Sequence, residues 1–300
     1  WAVAENGTDD ATLLGILAQI LGGSASSRLD ARLVHQDKLA DNVGASLWDG
    51  EISGTFFVTA DVKQGVDAKK VEAIIDEELK RLIEQGPTAE ELEQARTALR
   101  AAFVRGIERI GGFGGKSDVL AACAVFEGKP DCYKRELGVL MRATPAQIQA
   151  VGRKWLGTGS HTLLVKPSET PAAALPERQL AAPATQPAAL PKPDPRFRTV
   201  KTDVDRSKGP PMPERFPDLK FPALQRATLS NGMQVVLAER HETPIVQLTI
   251  EFPGGYTADL GKKLGTASFT MAMLDEGAGE LGALELAARR EALGAEIGAG

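Results

Sequence analysis

Three histidines and two cysteines are the only imidazole and thiol groups in 300 residues. Zinc sites are built from several such side chains at short spacing. His35, His161 and His241 lie far apart in the chain, so each reads as a packing or surface histidine rather than a ligand. Cys123 and Cys132 are nine residues apart across an Glu-Gly-Lys-Pro turn. That spacing allows either a disulfide clip or two separate core thiols. Neither has a histidine nearby in sequence to activate it, which argues against a nucleophilic role. Two glycine-rich stretches invite a phosphate reading. GGFGGKSD at 111–118 resembles a phosphate loop, but Ile110 stands where such a loop needs its first glycine. GAGELG at 277–282 has the dinucleotide-loop spacing, yet it follows a helical rather than a strand pattern, so the required context fails. A nucleotide-binding reading therefore rests only on these glycine loops, and would require ATP or NAD binding that is lost on replacing Gly114 or Gly115.

The elements that would position these groups can be read from periodicity. Leu13, Leu14, Leu17, Ile20 and Leu21 recur at helical spacing, with Asp9 or Asp10 available as a cap. Residues 52–62 alternate through Ile52, Gly54, Phe56, Val58, Ala60 and Val62, the period of a strand with one buried face. Val71, Ile74, Ile75, Leu79, Leu82 and Ile83 form a helical stripe closed by Gly86-Pro87. Thr88 and Glu91 make a capping box for a further helix, and Thr144-Pro145-x-Gln147 signals another. His161 to Lys166 reads as a short strand. Thirteen of the eighteen prolines fall between Pro167 and Pro222, so 169–222 reads as a Pro/Ala-rich linker, either disordered or an extended strap. Beyond it, Asn231-Gly232 predicts a hairpin turn, Ile245 to Phe252 a half-buried strand, and Gly265–Leu274 and Leu284–Leu293 two helices.

Composition narrows the function classes. The chain is 43% hydrophobic and 25% charged, with a net charge of −5 and no long run of one sign. That composition is globular, and it disfavours a nucleic-acid groove or an acidic-lipid surface. The most apolar stretch, Leu13–Leu21, is far shorter than the ~20 residues of a membrane span. The chain opens on Trp1 without a signal pattern and stops at Gly300 inside a helix-turn, so it reads as a segment of a longer protein.

Several segments together resemble the pitrilysin/insulinase zinc metallopeptidases, peptidase family M16: LLGILAQILGGSASSRLDARLV at 13–34, GPTAEELEQAR at 86–96, GGFGGKSDVLA at 111–121 and LSNGMQVVLAE at 229–239. The resemblance implies an α+β fold of M16-like (LuxS/MPP-like) half-domains, mostly antiparallel sheet packed with helices. It implies that 1–168 is the C-terminal half-domain of a first module and that 223–300 opens a second. The family works through an H-x-x-E-H zinc helix, and the matching positions here are Ser268, Met271 and Ala272. Serine and alanine replace the histidines and methionine replaces the base, so this helix lacks zinc ligands. The family also holds substrate with an Arg and a Tyr seven residues later. Those positions fall on Val34 and Asp41, and neither donates a hydrogen bond to an oxyanion.

The resemblance thus implies the non-catalytic central segment of a tandem zinc metalloendopeptidase acting on peptides or unfolded polypeptides. The segment would form chamber wall and inter-module linker. Zinc is expected in the parent protein and no cofactor in this segment. The expected partners are the other half-domains of the same chain and peptide substrates, with no nucleic acid and no membrane span. The alternative is a wholly non-catalytic relative serving as structural partner of a separate active protease. A periplasmic or secreted location would suit Cys123 and Cys132.

Overall fold

A computed structural model describes residues 1–157, 159–167 and 221–300, with positions 205, 207, 209, 212, 215, 216, 218 and 220 between them. Most of the 169–222 linker lies outside the described residues. The chain is α+β and divides into one unit of residues 1–163 with 241–300 and another of residues 164–240.

The first unit is organised around one buried helix. Strand β1 (Ala2–Val3) leads into α1 (Asp9–Gly22), whose Leu14, Ile16, Leu17 and Leu21 are completely buried. A helix apolar on nearly all sides belongs in the middle of a core. Its cap is Thr8, whose Oγ1 accepts from the Ala11 N–H at 3.2 Å, rather than Asp9 or Asp10 as the sequence suggests. Both aspartates are committed to tertiary partners instead, Asp9 to Arg135 and Asp10 to Lys154 and the Trp155 indole. At the far end Gly22 sits against the sheet so closely that a Cβ there would lie 2.6 Å from the Ala45 nitrogen. Only glycine permits that approach.

After α1 come a single turn, α2 (Arg28–Asp30), and a π-helical stretch over Ala31–Gln36. Two antiparallel strands follow, β2 (Ala40–Asp49) and β3 (Gly54–Val62), with Val43 opposite Ala60 and Leu47 opposite Phe56. The sheet order is β1-β3-β2. The sequence pattern predicts β3 but not β2, because Asp41, Asn42, Gly44 and Ser46 dilute the alternation. Ala40, Val43, Ala45 and Leu47 are the residues of β2 that join the core. Ile52, counted in the strand by its period, lies in the connecting turn and is exposed.

Four further helices close the core: α3 (Ala68–Gln85), α4 (Ala89–Gly106), α6 (Tyr133–Arg142) and α7 (Pro145–Leu156), with α5 (Lys116–Glu127) set between α4 and α6 in the chain. Both expected capping boxes are present. The Thr88 hydroxyl accepts from Glu91 N–H at 3.1 Å while the Glu91 carboxylate accepts from Thr88 N–H at 2.7 Å, and Thr144 with Gln147 repeats the arrangement. Glu91 also holds Arg28 through two nitrogens, at 2.7 and 2.8 Å. One carboxylate therefore starts α4 and ties it to the turn after α1.

In the second unit, β4 (Leu224–Thr228) and β5 (Gln234–Ala238) form the hairpin expected around Asn231-Gly232, with Gly232 at φ +87°. Back in the first unit, the stretch over Ile245–Phe252 is not a strand, and neither is His161–Lys166. Apart from the half-buried Ile245, their apolar residues are exposed, Val246 at 94% and Leu248 at 82% among them. An alternating stretch becomes a strand only when it finds an edge to bond and a surface to cover. The chain then forms a 3₁₀ turn (Tyr256–Asp259), α8 (Thr266–Ala272), the short pair β6 (Gly277–Ala278) and β7 (Leu281–Gly282), and α9 (Ala283–Leu293). Helix α9 packs on α4. Its Glu291 carboxylate accepts hydrogen bonds from Ser24, Ser26 and Gln94, and Arg105 donates to the Gly294 carbonyl at 2.7 Å.

Candidate functional site

The three zinc-helix positions share α8. The helix starts at Gly265 in the left-handed region, and the Asp259 carboxylate accepts from Ala267 N–H at 3.1 Å in place of a side-chain cap. Ser268 and Ala272 are exposed and Met271 is half-buried. A hydroxyl, a thioether and a methyl group provide neither imidazole nor carboxylate, so these residues do not fit a catalytic zinc ion and no step through a metal is derived from them.

The two substrate-clamp positions lie on consecutive elements. Val34 is in the π-helical stretch and packs against the core, while Asp41 is exposed on β2 with Lys63 3.9 Å away. An aspartate beside a lysine is an ionised acceptor, which would repel a developing oxyanion rather than stabilise it. Around Val34 the polar residues are bound locally. His35 meets Asp30 at 3.1 Å and Arg32 donates to Asp37 at 2.7 Å. Burial holds the Asp30 carboxyl above its usual range despite His35, and Glu291 adds to the rise.

The glycine loop at 111–118 fails as an anion cradle for a visible reason. Four of its backbone donors are already used: Gly114 N–H reaches Asp118 at 2.7 Å, and the N–H groups of Gly115, Lys116 and Ser117 go to the carbonyls of Gly112, Arg109 and Ile110. A phosphate would have to displace a carboxylate from the start of α5. The loop at 277–282 is the β6–β7 pair, and its Gly282 N–H donates to Glu285 at 2.8 Å.

Cys123 and Cys132 are joined in a disulfide that ties the end region of α5 to the start of α6. Glu127, Cys132 and Glu136 bring three potential ligand atoms within 4.8 Å of one another. Cys132 is committed to its disulfide, and Arg135 lies 2.8 Å from Glu127 and 3.8 Å from Glu136. Sequence reasoning did not find this acidic group, since i and i+4 or i+9 spacings across a turn carry no signal until the turn is folded.

Residues 1–99 match the family model of the peptidase M16 inactive domain. That segment, about a third of the chain, is therefore similar to the inactive domain of peptidase family M16. Among solved structures it is similar to a protease from Helicobacter pylori, at 20% identity and a TM-score of 0.47 over 52% of this chain and 37% of that one. It is similar to a peptidase M16 inactive domain from Pseudomonas fluorescens at 17% identity and a TM-score of 0.45, covering 51% of this chain and 36% of that chain. The periplasmic protease PqqL from Escherichia coli matches at 11% identity and a TM-score of 0.41, over 52% of this chain and 17% of that one. The chain thus spans 37% of the length of the Helicobacter protease. No curated protein matches it. No helix among the described residues is long and apolar enough to cross a membrane.

Proposed function

We propose that this chain is a non-catalytic scaffold segment of a tandem zinc metalloendopeptidase that acts on peptides or unfolded polypeptides. In this reading residues 1–168 are the second half-domain of the first module, 169–222 connect the modules, and 223–300 open the next. The segment forms part of the wall of the substrate chamber, and the other half-domains of the same parent supply both the zinc and the oxyanion donors. The observation that carries the reading is the inactive-domain match over residues 1–99; the reading of Val34 and Asp41 as replaced clamp residues is consistent with it. Ser268, Met271 and Ala272 on α8 extend the same loss to the post-linker segment. The Cys123–Cys132 disulfide supports folding in an oxidising compartment, periplasmic or extracellular.

The test compares the 1–300 chain with its full-length parent, measuring zinc by atomic absorption and hydrolysis of a quenched fluorescent peptide. The parent is expected to hold about one zinc per active centre and to cleave the peptide. The 1–300 chain is expected to do neither. A tightly bound zinc in the 1–300 chain, or a parent without zinc and without hydrolysis, would overturn the proposal.

A further inference from the structure

A cavity of about 480 Å³ opens between α1, β2, α4 and α6. None of Ser268, Met271, Ala272, Val34 or Asp41 lines it. Its size is that of small-molecule sites. Ile16, Leu47 and Leu99 supply apolar wall, and Phe103 and Tyr133 stack beside them with ring centroids 5.9 Å apart.

The charged groups lining it are two carboxylates, Asp49 and Glu136. Asn6 donates to one oxygen of Asp49 at 2.9 Å. The nearest guanidinium, Arg135, is already held by Asp9 at 2.9 Å and Glu127 at 2.8 Å, and reaches Glu136 only at 3.8 Å. Three carboxylates therefore share one guanidinium, and Asp49 adds a fourth negative charge that acts on Glu136. Burial pushes the Glu136 carboxyl up, Arg135 pulls against it, and Glu127 and Asp49 add to the rise. A second positive charge in the cavity would relieve that repulsion.

Gly15 supplies the remaining sign. It sits inside α1, where glycine weakens a helix, yet it lines the cavity, and a Cβ built on it meets nothing within 4 Å. The helix backbone is thus left bare where the cavity runs along it.

We propose that this cavity binds a primary alkylammonium ion, such as a lysine side chain or a free diamine, with its aliphatic stem along Ile16, Leu47 and Leu99 and its charge toward Asp49, Glu136 and the Phe103–Tyr133 pair. Apolar wall, aromatic side chains and carboxylates that outnumber their cation are the three features an alkylammonium needs at once. A neutral alkyl group would waste the carboxylates, and an anion would be repelled. The inference stands independently of the protease reading, because it uses only side chains of this unit.

The experiment is a titration of the 1–300 chain, followed by NMR, with 1,5-diaminopentane and with Nα-acetyl-lysine methylamide. 1-Pentanol and pentanoate serve as neutral and anionic controls. An amine ligand of this size is expected to bind with a Kd of about 1 mM, with the controls at least ten-fold weaker. Glu136→Gln should weaken amine binding about ten-fold. Gly15→Leu should fill the cavity and abolish binding while strengthening α1, which separates loss of the site from loss of the fold. Binding of the diamine alone would assign a small-molecule ligand, and binding of the lysine derivative a polypeptide; either supports the site. Failure of both amines to bind, equal binding of 1-pentanol, or affinity untouched by both substitutions would overturn it.

Discussion

The first 157 residues and the last sixty use similar sequence patterns to opposite effect. In the first region the apolar stripes of α1, α3 and α7 converge, and Leu14, Leu17, Leu82 and Ile148 are fully buried. In residues 241–300 the alternation of Val246, Leu248, Ile250 and Phe252 is at least as clean, yet all four are exposed, and among the described residues of the region the one that is buried is the polar Asp259. Amphipathic period is a statement about which residues could share a face. Whether that face is covered depends on a partner surface, and only the first region contains enough of its own partners. Besides the packing of α9 on α4, polar contacts hold the later region to it: the Glu291 carboxylate with Ser24, Ser26 and Gln94, and Arg105 with Gly294 and Glu296.

The contrast can be broken by paired substitutions. Leu17→Ala removes a completely buried side chain from the central helix and is expected to cost about 3 kcal/mol. Leu248→Ala, at 82% exposed, should change stability by less than about 0.5 kcal/mol. Urea denaturation of both variants checks this, and equal effects would abolish the distinction between the two regions.

A smaller effect is expected at Glu91, which serves the capping box of α4 and the Arg28 pair together. Glu91→Gln should cost about 1–2 kcal/mol. Burial pushes this carboxyl up, but the bonds from Arg28 and Thr88 outweigh it and leave its pKa below the ordinary value of 4.5. A carboxyl depressed in the folded state adds stability that is complete above 4.5 and is lost as pH falls through the lower folded value. Thermal melts between pH 7 and pH 3 should therefore show a steeper acid loss in the parent chain than in Glu91→Gln.

The smallest expected change sharpens the comparison rather than breaking it. Glu291→Ala should cost about 1 kcal/mol or less globally while raising amide exchange selectively across 283–293. Exchange that rises equally in α1 would mean that α9 is part of the first core and not a helix tethered to it.

Much of this organisation is legible in the sequence wherever the deciding interaction spans a turn or less. Thr88 with Glu91 and Thr144 with Gln147 are three residues apart, and the Asn231-Gly232 turn needs a single left-handed glycine, so composition and spacing specify them. The chemical incapacity of Ser268, Met271, Ala272, Val34 and Asp41 to act as zinc ligands or oxyanion donors is likewise a property of residue type. Tertiary structure alone decided the rest. It recruited Asp9 and Asp10 away from capping, paired β2 with β3 despite its polar alternation, left 161–166 and 245–252 out of any sheet, and chose the disulfide for Cys123 and Cys132 over two separate thiols. It also set Gly15, Phe103, Tyr133, Asp49 and Glu136 around one cavity. These contacts join residues far apart in the chain, where no local period encodes them, and burial, charge pairing and the reach of neighbouring elements select among partners that the sequence leaves equivalent.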